Sequence, residues 1–287
     1  MSTDPDTDPV GPILITGCST GIGRATAAHL RDLGHTVYAT ARRPETLADL
    51  ARAGSRTLAL DVTDEQSMSE AVSAVEADHG RVGALVNNAG YSQSGPVEEV
   101  TSASLRRQFD TNVFGAVRLC QLVLPGMRAA GRGRVVNVSS MGGRMTLPGG
   151  GAYHATKYAL EALSDALRYE TSGFGVHVVL VEPGPVMSDF GTTADASTVD
   201  QPTDGPYADF RRGVDALVAR TYARPPRGSS RPEAVAEVIA TAVTSRRPKA
   251  RYLVGPTARS IVAAHALLSD RMWDRFLATQ YPKPPSS

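Results

Sequence analysis

Short aliphatic runs alternate with longer stretches of helical periodicity along most of this chain. Pro12-Ile-Leu-Ile-Thr, Thr36-Val-Tyr-Ala-Thr, Thr57-Leu-Ala-Leu, Gly83-Ala-Leu-Val-Asn-Asn, Arg134-Val-Val-Asn-Val-Ser and Val176-His-Val-Val-Leu-Val are each short and rich in β-branched or aliphatic residues. Runs of that length, bounded by glycine or polar residues, suit buried strands. Helical patterns lie between them at 24–33, 44–53, 64–79, 102–130 and 152–170. Pro44 is tolerated in a first turn, and Thr63 or Asp64 serves as an N-cap. The 102–130 helix is expected to be interrupted near Pro125-Gly126. Strands separated by helices predict βαβ units, a mainly parallel sheet and right-handed crossovers that cover both faces. The fold class is therefore α/β, a single doubly wound Rossmann-type domain.

The rhythm breaks between Pro183 and Pro232, where Pro, Gly, Ser, Thr and Asp dominate around one helical island at 207–222. A stretch that long inside a compact domain is usually functional or disordered. Residues 185–230 are accordingly expected to form a substrate loop or lid. Helix at 232–244, a short strand at 251–254 and largely helical 257–279 follow. Residues 1–10 read as a disordered tail, 11–280 as the domain, and 281–287 as a flexible tail.

Composition narrows the classes. The 287 residues are 41% hydrophobic and 21% charged, ordinary for a soluble globular protein. A net charge of +1 leaves no footprint for nucleic acid. Two cysteines, Cys18 and Cys120, make no disulfide framework, so a reducing cytoplasm is the simplest setting. No basic start precedes an apolar run, and no apolar stretch reaches the ~18 residues a membrane span needs.

Three local patterns carry chemistry. Gly17-Cys-Ser-Thr-Gly21-Ile-Gly23 links the first strand to the first helix. Glycines there allow a tight turn and close approach to a phosphate, and the helix N-terminus adds amides and partial positive charge. The spacing is not the common G-x-G-x-x-G, and such turns also occur without ligand. Next, Tyr153 and Lys157 lie four apart on a predicted helix, sharing a face. An ammonium held near a phenol favours the phenolate and suits the pair to proton exchange with an alcohol or carbonyl. Tyr-x-x-x-Lys also arises by chance, but only Lys157, Lys249 and Lys283 are lysines in this arginine-rich chain. Lysine at 157 thus points to a need for a compact ammonium. Ser140 ends the preceding strand and a loop can fold it beside the phenol. Lastly, Asn87-Asn-Ala-Gly90 and Asp61 end strands, where nucleotides bind in parallel sheets, although a plain turn and a helix-entry residue explain them equally well. Asn112 sits inside a helix, where Asn is a mediocre former, and a solvent-facing Asn is the plain alternative. His154 is one step round the helix from Tyr153 and reads as structural.

Together these residues resemble the short-chain dehydrogenase/reductase family. The resemblance rests on Thr16-Gly-x-x-x-Gly-Ile-Gly23, Asp61-Val62, Asn87-Asn-Ala-Gly90, Asn112, Ser140, Tyr153-x-x-x-Lys157 and Pro183-Gly184, in the family's order from residue 12 to about 190. The detail looks most like the branch holding 17β-hydroxysteroid and retinol dehydrogenases and many bacterial oxidoreductases of unrelated substrate. One departure is Ser188, where the family usually has Thr.

The resemblance implies an NAD(P)-dependent enzyme interconverting a ketone or aldehyde and an alcohol, without a metal. Tyr153 would be the general acid/base, Lys157 would tune it and hold the nicotinamide ribose, Ser140 would bond the substrate oxygen, and Asn112 would position a water. Cofactor contacts would come from Gly17, Ser19, Thr20, Gly21, Ile22, Gly23, Arg42, Asp61, Val62, Asn88, Ala89, Gly90, Tyr153, Lys157, Pro183, Gly184, Val186 and Ser188. Ala41 stands about where an NAD enzyme carries an acid, and Arg42 and Arg43 follow, so NADP(H) is expected over NAD(H). A solvated turn is the plain reading of the two arginines. Substrate walls are expected at Tyr91, Ser140, Met145, Leu147, Tyr153, Pro185, Met187 and Phe190, mostly apolar, which fits a hydrophobic or medium-sized carbonyl compound. The 102–130 and 152–170 helices are apolar on more than one side. Family members pair them as homodimers or homotetramers. Residues 261–277, with Trp273 and Phe276, are amphipathic enough for a subunit contact or a membrane surface. Other classes compatible with the motifs are a non-catalytic NADP-binding regulator and a sugar-nucleotide epimerase or dehydratase.

Overall fold

The computed structural model describes residues 10–187, 204–223 and 228–282. Residues 188–203 and 224–227 of the expected lid, including Ser188 and Phe190, lie outside the described residues.

Seven strands pair in parallel: β1 Ile13–Ile15, β2 Val37–Ala41, β3 Arg56–Ala59, β4 Ala84–Asn87, β5 Gly133–Val138, β6 Val176–Pro183 and β7 Arg251–Val254. Their order is β3-β2-β1-β4-β5-β6-β7. The chain winds outward from β1 to β3, then returns beside β1 and winds the other way. That reversal opens a crevice at the carboxyl ends of β1 and β4.

Alternation along each strand divides the core. Ile13 and Ile15 face one side with Val86 and Val136, covered by Leu30 of α1 (Gly21–Asp32) and by Val235, Ile239 and Val243 of α8 (Pro232–Thr244). Leu14, Leu85 and Val135 face the other, covered by Val72 and Val75 of α3 (Glu65–His79) and by Leu119, Val123 and Met127 of α5 (Gly115–Ala129). Each such fully buried aliphatic side chain contributes roughly 1.5–3 kcal/mol. The remaining helices are α2 (Ala48–Arg52), α4 (Ser102–Phe109), α6 (Gly151–Thr171), α7 (Ala208–Ala223), α9 (Pro256–Leu267) and α10 (Asp270–Gln280). Asp64 caps α3, accepting from the Ser67 N–H at 2.9 Å.

Three expectations change. Pro125 lies inside α5 without ending it. The long helix is instead interrupted at Asp110–Phe114, a π-helical turn centred on Asn112. The Asn112 side chain takes both backbone groups of Tyr91, accepting from its N–H at 3.1 Å and donating to its carbonyl at 2.9 Å. This tertiary anchoring favours the extra residue of the π turn there. Second, 257–279 divides into α9 and α10 at Leu268–Ser269. Third, Tyr281 and Pro282, placed in the flexible tail by sequence, pack on α7: a Cβ at Gly213 would meet Pro282 Cγ at 2.4 Å. Among the described residues, no helix is long and apolar enough to cross a membrane.

Candidate active site

A cavity of about 910 Å³ lies over the carboxyl ends of the central strands. One end is built by the first crossover. Gly17 has φ +71°, and a Cβ there would sit 2.9 Å from Ala89 Cα. A Cβ at Gly23 would sit 2.3 Å from the Gly17 carbonyl oxygen and 2.4 Å from Asn88 Nδ2. Only glycine satisfies both positions, so the loop presses against the end of β4. Thr16 locks the two together, its hydroxyl accepting the N–H groups of Asn88 and Ala89, each at 3.0 Å. Asn88 donates back to the carbonyls of Thr16 and Gly17 at 2.9 and 3.1 Å. Asn88 is thus a brace for the glycine loop. Residues Ser19 and Thr20 are exposed at the cavity wall, and Thr20 makes no side-chain cap to α1, whose first turn carries no acid. A helix start left open in this way fits an anionic group such as a pyrophosphate.

Ala41, Arg42, Asp61 and Val62 line the same cavity farther out. Arg42 is exposed, and Ala41 leaves no carboxylate at the end of β2. Asp61 turns one oxygen back on its own chain, accepting from Thr63 N–H at 2.9 Å and Thr63 Oγ1 at 2.8 Å. Ser19 to Ile22, Arg42, Asp61 and Val62 therefore line one continuous end of the cavity. Gly23 lies behind the wall rather than in it, and its role is to let the loop pack.

The other end is built by β5, its following loop and α6. Ser140 Oγ accepts the Gly142 N–H at 3.0 Å. His154 Nδ1 lies 2.9 Å from the Gly142 carbonyl. A carbonyl only accepts, so Nδ1 carries the hydrogen, and burial holds this imidazole below the ordinary histidine range and neutral. Cβ atoms at Gly142 and Gly150 would strike the His154 ring at 2.4 and 2.8 Å. His154 is therefore the buried post around which the Ser140 loop wraps, the structural part its sequence position suggests.

Tyr153 and Lys157, on consecutive turns of α6, both line the cavity with Ser140. Lys157 Nζ lies 5.7 Å from the Tyr153 ring centroid and donates to the Val138 carbonyl at 2.9 Å. Burial pushes the ammonium down to about 8, and the Glu161 carboxylate opposes that shift. Asn112 is buried beneath the cavity, donating also to Thr156 Oγ1 at 3.1 Å, while the Thr156 hydroxyl donates to the Tyr153 carbonyl at 2.7 Å. Asn112 thereby connects the Tyr91 backbone to the turn of α6 that carries Tyr153.

The third wall differs from expectation. Tyr91, Leu147, Pro185 and Val186 line the cavity, as do Pro183 and Gly184. Met145 does not; it is fully buried, and Met187 is 39% exposed outside the lining. Their places are taken by Val214, Leu217, Val218 and Thr221 of α7 and by Tyr281. The α7 residues fall at helical spacing on one face, a signal present in the 207–222 island. Tyr281 carried no such signal, being one aromatic before a Pro-rich end. Arg211 fixes α7, paired with Glu99 and donating to the Asp204 carbonyl at 2.8 Å.

Comparisons with known proteins agree with this architecture. The family model described as short chain dehydrogenase matches residues 12–198, well over half of the chain. A 3-ketodihydrosphingosine reductase of Bacteroides thetaiotaomicron is 36% identical over 272 residues, covering 94% of this chain and 97% of that protein. An NADPH-dependent 3-dehydrocapnine reductase of Ornithobacterium rhinotracheale is 34% identical, covering 91% and 94%. The crystal structure of a short-chain dehydrogenase from Streptomyces avermitilis superposes with a TM-score of 0.79 at 34% identity, covering 94% and 96%. The chain therefore belongs to the short-chain dehydrogenase/reductase family and is an NAD(P)-dependent oxidoreductase acting on alcohol and carbonyl groups.

Proposed function

We propose that the protein is an NADP-dependent reductase of ketones or aldehydes, running in reverse as an alcohol dehydrogenase, with Tyr153 as its general acid and base. The observation that carries this reading is the convergence of Tyr153, Lys157 and Ser140 on the cavity that also receives the glycine loop. Ser140 uses its lone pair on the Gly142 N–H, so its own O–H is left to donate to a carbonyl oxygen. The Tyr153 phenol gives its proton to that oxygen as charge develops there, and takes it back in the alcohol direction. Lys157, charged below about pH 8, stabilises the phenolate that remains. Asn112 serves as a strut that keeps the Tyr91 segment and α6 in register. The glycine loop would hold the pyrophosphate; Asp61 and Val62 the adenine side; Asn88 to Gly90, Lys157, Pro183, Gly184 and Val186 the nicotinamide side. When bound, the nicotinamide carries the hydride.

Arg42 supports NADP over NAD. A guanidinium suits a 2′-phosphate, and the acid that would repel one is absent at Ala41. The relative named as NADPH-dependent leans the same way. An Ala41→Asp, Arg42→Leu variant is expected to lose about ten- to a hundredfold in NADP affinity, the worth of roughly 1.5–3 kcal/mol of charge-assisted bonding. The ratio of kcat/KM with NADP to that with NAD checks this; a wild type that uses NAD at least as well contradicts it.

The substrate side is largely apolar, with Leu147, Val214, Leu217, Val218 and Tyr281 around it. That supports a hydrophobic carbonyl compound, in keeping with the names of the two reductases. A panel of ketones and alcohols, followed by absorbance of the reduced cofactor, tests this: turnover of apolar ketones is expected, and a strict preference for small charged acids contradicts it.

Assembly is read from the uncovered apolar residues of α6 and of the π turn that leads into α5. Leu119 and Leu160 are buried under the fold, whereas Phe114 and Leu163 are 58% and 44% exposed. Two copies pairing these helices would cover them. Light scattering at micromolar concentration is expected to give a dimer or tetramer; a monomer refutes the pairing. The buried free thiols of Cys18 and Cys120 are consistent with the cytoplasm.

A further inference from the structure

Below Lys157, α6 continues with Glu161 and Asp165 at four-residue spacing on the same face. Glu182 of β6 faces them and is 1% exposed. One guanidinium nitrogen serves both glutamates: Arg251 Nε lies 3.0 Å from Glu161 Oε2 and 3.1 Å from Glu182 Oε1. The Arg251 terminal nitrogen is 2.5 Å from Asp165 Oδ2, and Asp165 also accepts from Arg168 at 2.9 Å. From the loop after β5, Arg144 approaches Glu182 Oε1 at 3.4 Å. The second Glu161 oxygen is buried with no donor of its own, and so is the neighbouring Ser139 hydroxyl. A Cβ at Gly143 would meet Glu161 Cγ, Ser139 Oγ and the Lys157 carbonyl oxygen, at 2.8, 3.0 and 3.1 Å. Gly143 thus packs against both the carboxylate cluster and the lysine turn, and the Glu161 charge acts on Lys157.

We propose that Glu161 and Glu182 share one proton and act as positioning residues that hold Lys157 in its charged form from one helical turn behind it. Two carboxylates buried side by side resist simultaneous ionisation, and the guanidinium nitrogen they share opposes this only in part. A proton on Glu182 would let it donate to the Glu161 carboxylate, whose side chain it hydrogen-bonds. Burial and the Glu161 charge raise Glu182 to about 7. Before Glu182 ionises the pair carries one negative charge, and afterwards two. The second charge appears as the pH climbs toward the range where the buried ammonium would lose its proton, and opposes that loss. The groups facing the pair are Lys157, Asp165 with its partner Arg168, Arg144 and Arg251. This inference rests on the reading of Lys157 as part of the reacting site only where activity is concerned; the charge on Lys157 is measurable without turnover.

The chain has three lysines, so protein carrying 15N-labelled lysine gives few side-chain signals, and Lys157→Met identifies the one to follow. Titrating that signal in the whole protein reads the Lys157 midpoint directly. Glu161→Gln or Glu182→Gln alone leaves one carboxylate, which ionises more readily once its neighbour is gone. Each single variant is expected to lower the midpoint by about half a unit, and the double variant by about one unit or more, a tenfold or larger loss of proton affinity. A midpoint unchanged in the double variant overturns the proposal. If the double variant does not melt cooperatively, Glu182→Gln decides alone: a wild-type midpoint there overturns it. A purely structural cluster changes melting temperature and leaves the midpoint in place. In the alcohol direction, the acidic limb of the kcat/KM pH profile should move to higher pH in the double variant. If the lysine midpoint shifts and this limb does not, the pair's control of charge stands, and it is the catalytic reading of Lys157 that fails.

Discussion

Tyr153→Phe is expected to lower kcat by about a hundred- to ten-thousandfold, the range in which positioned general acids contribute. The substitution keeps the ring and removes only the transferable proton. The surroundings that hold the residue stay intact: the Thr156 hydroxyl still bonds the residue-153 carbonyl, and His154 still braces the Ser140 loop. Cofactor affinity and melting temperature should therefore stay near wild type while turnover collapses. Steady-state kinetics beside a fluorescence titration of cofactor binding separates the two effects. Retention of most of the activity would remove Tyr153 from the mechanism; loss of activity together with loss of the fold would leave its chemical part unsupported.

Lys157→Met is expected to give a nearly inactive protein that is more stable than the wild type at neutral pH. Burial lowers this lysine from 10.5 to about 8. A group whose folded value is depressed in this way contributes stability above its unfolded value, and that contribution is lost as the pH falls through the folded one. At pH 7 the charged form is thus held at a cost of roughly 3 kcal/mol, at ~1.4 kcal/mol per unit. Methionine fills similar volume without that cost, but leaves the Val138 carbonyl without its donor, worth about 1 kcal/mol. A net gain of about 1–2 kcal/mol follows, a rise of several degrees in Tm. The gain should be largest below pH 8 and shrink toward pH 10, where the wild-type lysine is neutral. Thermal melts across that range check it, and a methionine variant less stable than wild type at pH 6 contradicts it. Stability held back at a reacting group is the expected signature of a residue kept for function.

Much of this was legible in the sequence because it depends on local pattern. The buried strands announce themselves as aliphatic runs, and the Gly17–Gly23 turn and the Tyr153/Lys157 spacing are contiguous features. What escaped depends on contacts between distant segments. Pro125 looks like the break in the long helix, yet the interruption falls at Asn112, whose side chain is engaged by the Tyr91 backbone twenty-one residues earlier. Met145 looks like a pocket residue because it sits in the Ser140 loop, but the wrap of that loop around His154 turns it inward. Asn88 lines the cavity as its motif suggests, but its amide also braces the glycine loop through the carbonyls of Thr16 and Gly17, which no local pattern announces. Glu182 reads as one polar residue at a strand end, and only the packing of β6 against α6 and β7 brings it to Glu161 and Arg251.

The most direct test of tyrosine-based catalysis is the pH dependence of kcat/KM in the alcohol direction with the oxidised cofactor. The account predicts an acidic limb with an apparent midpoint below the ~10 of a free tyrosine, moved to higher pH when Lys157 is replaced by methionine. A rate independent of pH from 6 to 10, or the same limb in Tyr153→Phe, would contradict it.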